Sequence, residues 1–168
     1  MFAGHAEDNA NEQVAIKIFK EGTEDAAKTE YNAARTLTQH GYRHVVPIHA
    51  VGRNSDGRRC IVMARAEYDL RQYINISGGL EITATEQRAI KHQVVRDICN
   101  GLTEIDGARA DLKPANVLSH KHVWKLADIG AIGFTPEYRA PELWRHELPS
   151  METYDYALGC IIYDLLEG

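Results

Sequence analysis

The run Asp111-Leu112-Lys113-Pro114-Ala115-Asn116, followed by Leu126-Ala127-Asp128-Ile129-Gly130 and Ala140-Pro141-Glu142, constrains this chain more than any other feature. It sets out an Asp, a Lys two residues on, an Asn five residues on, and a second Asp twelve residues past that Asn. Moving a phosphoryl group needs such parts. A carboxylate meets the attacking hydroxyl, a cation meets the migrating phosphate, and hard oxygen ligands hold Mg²⁺. Asp-x-x-x-x-Asn alone occurs in many loops. Three elements in this order and at workable spacing carry far more weight.

At 168 residues the chain can bury one core, divided at most between two small lobes. Its apolar fraction of 44% argues against wholesale disorder. The net charge of −5, with no Lys/Arg run, offers nothing to nucleic acid or an anionic membrane, and neither is expected as a partner. Cys60, Cys99 and Cys160 are odd in number and far apart among apolar neighbours. That is the pattern of free thiols in a reducing compartment, not of a disulfide framework or a zinc site. The first twelve residues lack the apolar stretch of a signal peptide, and no segment approaches the roughly 18 apolar residues of a membrane span. The expectation is a soluble cytoplasmic protein. Its oligomeric state is not legible.

Residues 13–19 predict a buried strand interrupted by one Lys, and 23–39 a helix with Ala27, Glu30, Ala34 and Leu37 on one face. Strands are expected over 45–52 and 59–63, joined by the turn Asn54-Ser55-Asp56-Gly57. Past Tyr68 the composition turns helical. Thr83-Ala84-Thr85-Glu86 is a capping box, and Ile90, Val94, Ile98, Leu102 and Ile105 continue as a helical stripe. Two short strands, Val117-Leu118 and 123–126, follow the Asp111 run. The last helix, about 154–166, is apolar on nearly every side and reads as a buried central helix.

Together with Val14-Ala15-Ile16-Lys17, the three elements above resemble the motifs of a eukaryotic protein kinase: V-A-I-K, H-R-D-L-K-P-x-N, D-F-G and A-P-E. The resemblance runs from about Val14 to the C-terminus. It implies an α+β, two-lobed fold in one domain, 1–168, with a partial β-rich N-lobe over 1–63, a hinge over 64–69 and a partial, mainly helical C-lobe over 70–168. It implies ATP and Mg²⁺ as cofactors and a protein Ser or Thr as acceptor. Lys17 would hold the ATP phosphates and pair with Glu30, with Glu24 the weaker alternative. Met63 would close the adenine pocket, the backbone of Ala64 and Ala66 would bond the adenine, and Asp69 would reach the ribose or the substrate. Asp111 would orient the hydroxyl, Lys113 would steady the phosphate, and Asn116 and Asp128 would hold Mg²⁺. Lys113 and Thr135 both resemble the serine/threonine-specific version. Glu142 belongs to the A-P-E, and Asp155 resembles the residue that anchors the catalytic loop. Blander readings stand beside these: a snorkelling Lys17, a core Met63, a turn at Asp111 and a helix-start carboxylate at Asp155.

The chain departs from the family pattern in several places. No glycine-rich loop precedes Lys17, so the first strand pair is expected to be missing or reduced. Arg109-Ala110 stands where His-Arg is usual, Ile129 replaces Phe, and 105–111 and 128–142 are short. Helices beyond the central one, and the Arg that usually pairs with Glu142, are not expected within this stretch of sequence. Three readings follow: a shortened serine/threonine kinase, a pseudokinase that binds without catalysis, and an aminoglycoside-phosphotransferase-like enzyme, the last disfavoured by Lys-Pro and by Tyr138-Arg139-Ala140-Pro141-Glu142.

Overall fold

The computed structural model describes residues 2–5, 13–20, 24–37, 39–106, 110–130 and 135–167. β1 (Phe2–His5), β2 (Gln13–Ile18), β3 (Ile48–Arg53) and β4 (Arg59–Ala64) form an antiparallel sheet in the order β1-β2-β4-β3. Between β2 and β3, α1 (Glu24–Leu37) lies against that sheet. Ala27, Glu30 and Ala34 recur at helical spacing on its buried face, a single charge among alanines. Ala15, Ala34, Val46, Ile61 and Met63 make the small upper core.

The first strand pair of the upper lobe is reduced, as expected: among the described residues one strand precedes that of Lys17, β1, which pairs with β2, Ala3 opposite Ala15 and Gly4 opposite Val14. Another expectation changes. β3 begins at Ile48 rather than at 45. Pro47 has no N–H for a ladder, and the residues before it turn to the lower lobe. Val45 bridges Leu126, and the Val46 amide donates to the Leu126 carbonyl at 2.9 Å.

The rest of the chain is mainly helical: β5 (Tyr68–Asp69), α2 (Leu70–Ser77), α3 (Ala84–Ile105), β6 (Val117–His120), β7 (Val123–Leu126), α4 (Pro141–Trp144) and α5 (Met151–Glu167). β5, β6 and β7 form a second, three-stranded sheet. α3 starts on the predicted capping box, with Thr83 and Glu86 satisfying each other's amides. Its apolar stripe meets Leu70, Val117, Leu126 and Ile161, all buried to 2% exposure or less. Each such side chain contributes about 1.5–3 kcal/mol over leaving it in water.

α5 differs from its predicted form. Thr153, Tyr154, Ala157, Ile161 and Leu165 are buried, but Tyr156, Tyr163 and Leu166 are 45%, 65% and 66% exposed. It therefore buries one face only. It also starts earlier, because Ser150 donates its amide to the Thr153 hydroxyl and its own hydroxyl to Glu152. Asp155 thus lies one turn inside the helix, exposed, and makes no hydrogen bond to the described residues of the Asp111 loop.

Candidate functional site

The loop after α3 folds on itself. Lys113-Pro114 leads into a single 3₁₀ turn, Pro114–Asn116, where Pro cannot donate and its fixed φ suits the first position. The Asn116 side-chain amide donates to the Asp111 carbonyl at 2.8 Å, and the Ala127 amide to the Asn116 carbonyl at 2.9 Å. These bonds turn the Asp111 carboxylate toward the segment at Thr135. The Thr135 amide donates to Asp111 Oδ1 at 3.1 Å and its hydroxyl to Oδ2 at 3.2 Å. Lys113 Nζ closes the triangle, 2.6 Å from Asp111 Oδ2 and 2.8 Å from Thr135 Oγ1. A carboxylate, an ammonium and a hydroxyl thus share one point. Beside it opens a groove of about 950 Å³ walled by Pro114, Thr135, Glu137, Tyr138 and the outer face of α5.

A second cluster is assembled from distant elements. Lys17 projects from β2, pairs with Glu30 of α1, and lies 3.0 Å from Asp128 Oδ1. Burial works to lower the Lys17 ammonium, but the two carboxylates outweigh it and hold its pKa above the ordinary value. Burial pushes Glu30 up, only partly countered by Lys17, because one ammonium serves both acids. Asp128 has a left-handed backbone, φ +56°, and Gly130 follows at φ +84°. A Cβ on Gly130 would come within 2.5 Å of the Ala33 Cβ, so a glycine is what lets this turn lie against α1. Ile129 is buried and bridges Ala110, keeping the apolar role of the Phe it replaces.

Met63 is buried and, with Glu30 and Asp128, lines a narrow space of about 20 Å³ between sheet and α1. The Ala64 amide is taken by the Pro47 carbonyl at 2.8 Å. Arg65 and Glu67 are tied to Gln13 and Ser119, while no described backbone hydrogen bond uses Ala66. Asp69 is the N-cap of α2, one oxygen accepting from the Gln72 amide at 2.9 Å while the Gln72 side chain accepts from the Asp69 amide. That pattern, Asp-x-x-Gln, was readable as a capping box. Glu142 accepts from the Thr153 hydroxyl at 2.7 Å, which draws its pKa down. Among the described residues, no group of three His, Cys, Asp or Glu side chains could hold a metal by itself. Mg²⁺ bound with phosphate needs only one or two protein oxygens and keeps waters. Asn116 and Asp128 offer hard oxygens of that kind.

The protein kinase domain model matches residues 4–168. The chain belongs to that family. Relatives at low identity include rat G protein-coupled receptor kinase 4, 29% identical over 156 residues, covering 82% of this chain and 26% of that protein. Caenorhabditis elegans serine/threonine-protein kinase nekl-2 is 29% identical over 143 residues, 67% of this chain and 37% of that protein. Mouse inactive serine/threonine-protein kinase PLK5 is 25% identical over 174 residues, 92% of this chain and 28% of that protein. The chain thus spans between 26% and 37% of these relatives' length.

Within this protein kinase domain, the structure brings Asp111, Lys113 and Thr135 into one cluster and Lys17, Glu30 and Asp128 into another. Arg109 and residues 131–134 of the short segment lie outside the described residues. Sequence reasoning missed the Tyr138 hydroxyl, which donates to Asp164 at 2.6 Å and accepts from Arg71 at 3.1 Å. Burial, reinforced by Asp164, raises the Tyr138 pKa to about 12. No helix of the described residues is long and apolar enough to cross a membrane.

Proposed function

We propose that this kinase domain is catalytically competent and transfers the γ-phosphoryl group of ATP, with Mg²⁺, to Ser or Thr hydroxyls of proteins. The observation that supports this most is the triangle of Asp111, Lys113 and Thr135 at the edge of the groove. An acceptor hydroxyl entering there meets a carboxylate that can take its hydrogen bond. As the new O–P bond forms and the bond to the departing diphosphate oxygen breaks, the hydroxyl proton passes to Asp111 and then to solvent. Lys113 offsets charge on the moving group. Mg²⁺, when bound, would neutralise phosphate charge, with Asn116 and Asp128 as its protein ligands. Lys17, oriented by Glu30, would hold the non-transferred phosphates. Met63 would wall the adenine site, the Ala64 carbonyl and Ala66 amide would face its edge, and the Asp69 oxygen left over from capping would face the ribose or the substrate. The three free thiols suit a reducing, cytoplasmic setting.

A pseudokinase is the second reading, favoured by the similarity to a relative named inactive, which covers most of this chain. Radiolabelled ATP turnover on a generic protein substrate separates the two. The kinase reading expects phosphoserine or phosphothreonine and no phosphotyrosine. ATP binding without transfer would establish the pseudokinase.

A further inference from the structure

The turn between β3 and β4 closes around one side chain. Asn54 Oδ1 accepts from the Asp56 amide at 3.1 Å and from the Arg58 amide at 2.9 Å, while the Asn54 amide donates to the Arg58 carbonyl at 2.9 Å. This turn gathers cations. Arg53 and Arg59 are direct partners across the two strands, and Arg58 adjoins Arg59. The Phe19 amide donates to the Arg59 carbonyl at 3.1 Å, which brings Phe19 and Lys20, just past β2, to the same place. With Ala27 of α1 and Asp56 of the turn, these side chains wall a cavity of about 330 Å³. Its lining carries four cations and one carboxylate, in a chain whose net charge is −5.

Like charges directly opposite across a strand pair destabilise it. Even so, among the described residues no carboxylate forms an ion pair with Arg53, Arg58 or Arg59. Arg53 donates to the Gly57 carbonyl at 2.5 Å, and the Arg59 guanidinium lies 5.1 Å from the centre of the Tyr31 ring on α1. Arg58 Nε is buried and meets no acceptor. A buried N–H left in that state costs free energy, which an anion in the cavity would relieve. We propose that this cavity binds a phosphate monoester dianion carried on a phosphorylated Ser or Thr side chain of a peptide. Guanidinium forks match phosphate oxygens two at a time, and a dianion offsets the mutual repulsion of the arginines. The space exceeds the roughly 30 Å³ share of one water about tenfold, so it holds the stem as well as the phosphate. Phe19 and Ala27 give that stem an apolar wall. Lys17 does not line the cavity, so the site stands whether or not the Lys17 cluster binds nucleotide.

The test is fluorescence anisotropy of a labelled Ala-Gly peptide bearing one phosphoserine, measured without nucleotide. The same peptide bearing Ser and inorganic phosphate serve as the other two probes. Arg58→Gln keeps the turn, whose bonds come from the Arg58 backbone, and should weaken the phosphopeptide about tenfold. Arg53→Gln should weaken it about threefold, and Arg58→Lys, which keeps the charge and loses the fork, should fall between wild type and Arg58→Gln. Asp56→Asn removes the carboxylate from the lining and should tighten binding about twofold. Arg88→Gln, the same change of charge at an exposed position on α3, should leave binding unchanged. The Ser peptide should not bind, and inorganic phosphate should compete about tenfold more weakly than the phosphopeptide. Wild-type affinity in both Arg58→Gln and Arg53→Gln, an equal loss in Arg88→Gln, or no binding in the wild type would overturn the site. A Ser peptide or inorganic phosphate that binds as tightly as the phosphopeptide would overturn the phosphorylated side chain as its occupant.

Discussion

The two clusters proposed as halves of one site are built in opposite ways. Asp111, Lys113 and Asn116 come from one six-residue run, positioned by a proline, a 3₁₀ turn and an amide-to-carbonyl bond inside the loop; only Thr135 arrives from elsewhere. Lys17, Glu30 and Asp128 come from a strand, a helix and a turn that share no local contact, and their meeting depends on how α1 lies between the lobes. The local half keeps its geometry whenever the loop forms. The assembled half can be lost by a shift of one helix, with no site residue changed. Chemistry is therefore expected to fail at the first half and regulation to act through the second.

The largest expected effect breaks the local half. Asp111→Ala should cut phosphoryl transfer by about 10²–10⁴-fold, the usual contribution of a positioned general base, while leaving nucleotide affinity nearly intact. Transfer surviving in that variant would mean a different base or a contaminating kinase. A smaller effect separates the halves. Reversing Lys17 and Glu30 singly should each weaken nucleotide binding, and reversing both should restore more than the sum predicts, with coupling of about 0.5–3 kcal/mol. Simple additivity would show that Glu30 and Lys17 do not act as a pair, and that Glu24 should be tried as the partner.

The smallest effect lies outside both halves, at Tyr138. Its folded-state pKa of about 12 is above the ordinary phenol value, so neutral Tyr138 stabilises the fold fully below about pH 10. That contribution fades as pH rises through 12. Tyr138→Phe should be less stable near neutrality, having lost the bonds to Asp164 and Arg71, and should show a shallower alkaline loss. Equal alkaline slopes in unfolding experiments would remove Tyr138 as the source.

The local half was legible because residues within six positions constrain one another, so spacing alone carries the geometry. Glu30 was legible too, as a charge on an otherwise apolar face. The bond from the His44 amide to Glu104 was not: the two residues are 60 positions apart, and nothing in the sequence nearby marks it. The start of α5 was placed too late because Glu152 and Thr153 interrupt the apolar pattern of its first turn, which is set by bonds from Ser150. The outer face of α5 was misread for a different reason. Apolar composition says what a helix could bury, and folded surfaces still carry many apolar atoms. The Pro47 break in β3 could have been read from the missing N–H.

The central claim is that the two halves form one Mg²⁺-ATP site, and thermal unfolding with and without Mg²⁺-ATP tests it most directly, in the wild type and in Asp128→Ala. A ligand bound only to the folded state raises the melting temperature by mass action, about 2.7 kcal/mol of stabilisation at a hundredfold excess over Kd. The account predicts a clear rise in the wild type that needs Mg²⁺, and loss of most of the Mg²⁺-dependent part in Asp128→Ala. An equal rise in both proteins, or none in the wild type, would contradict it.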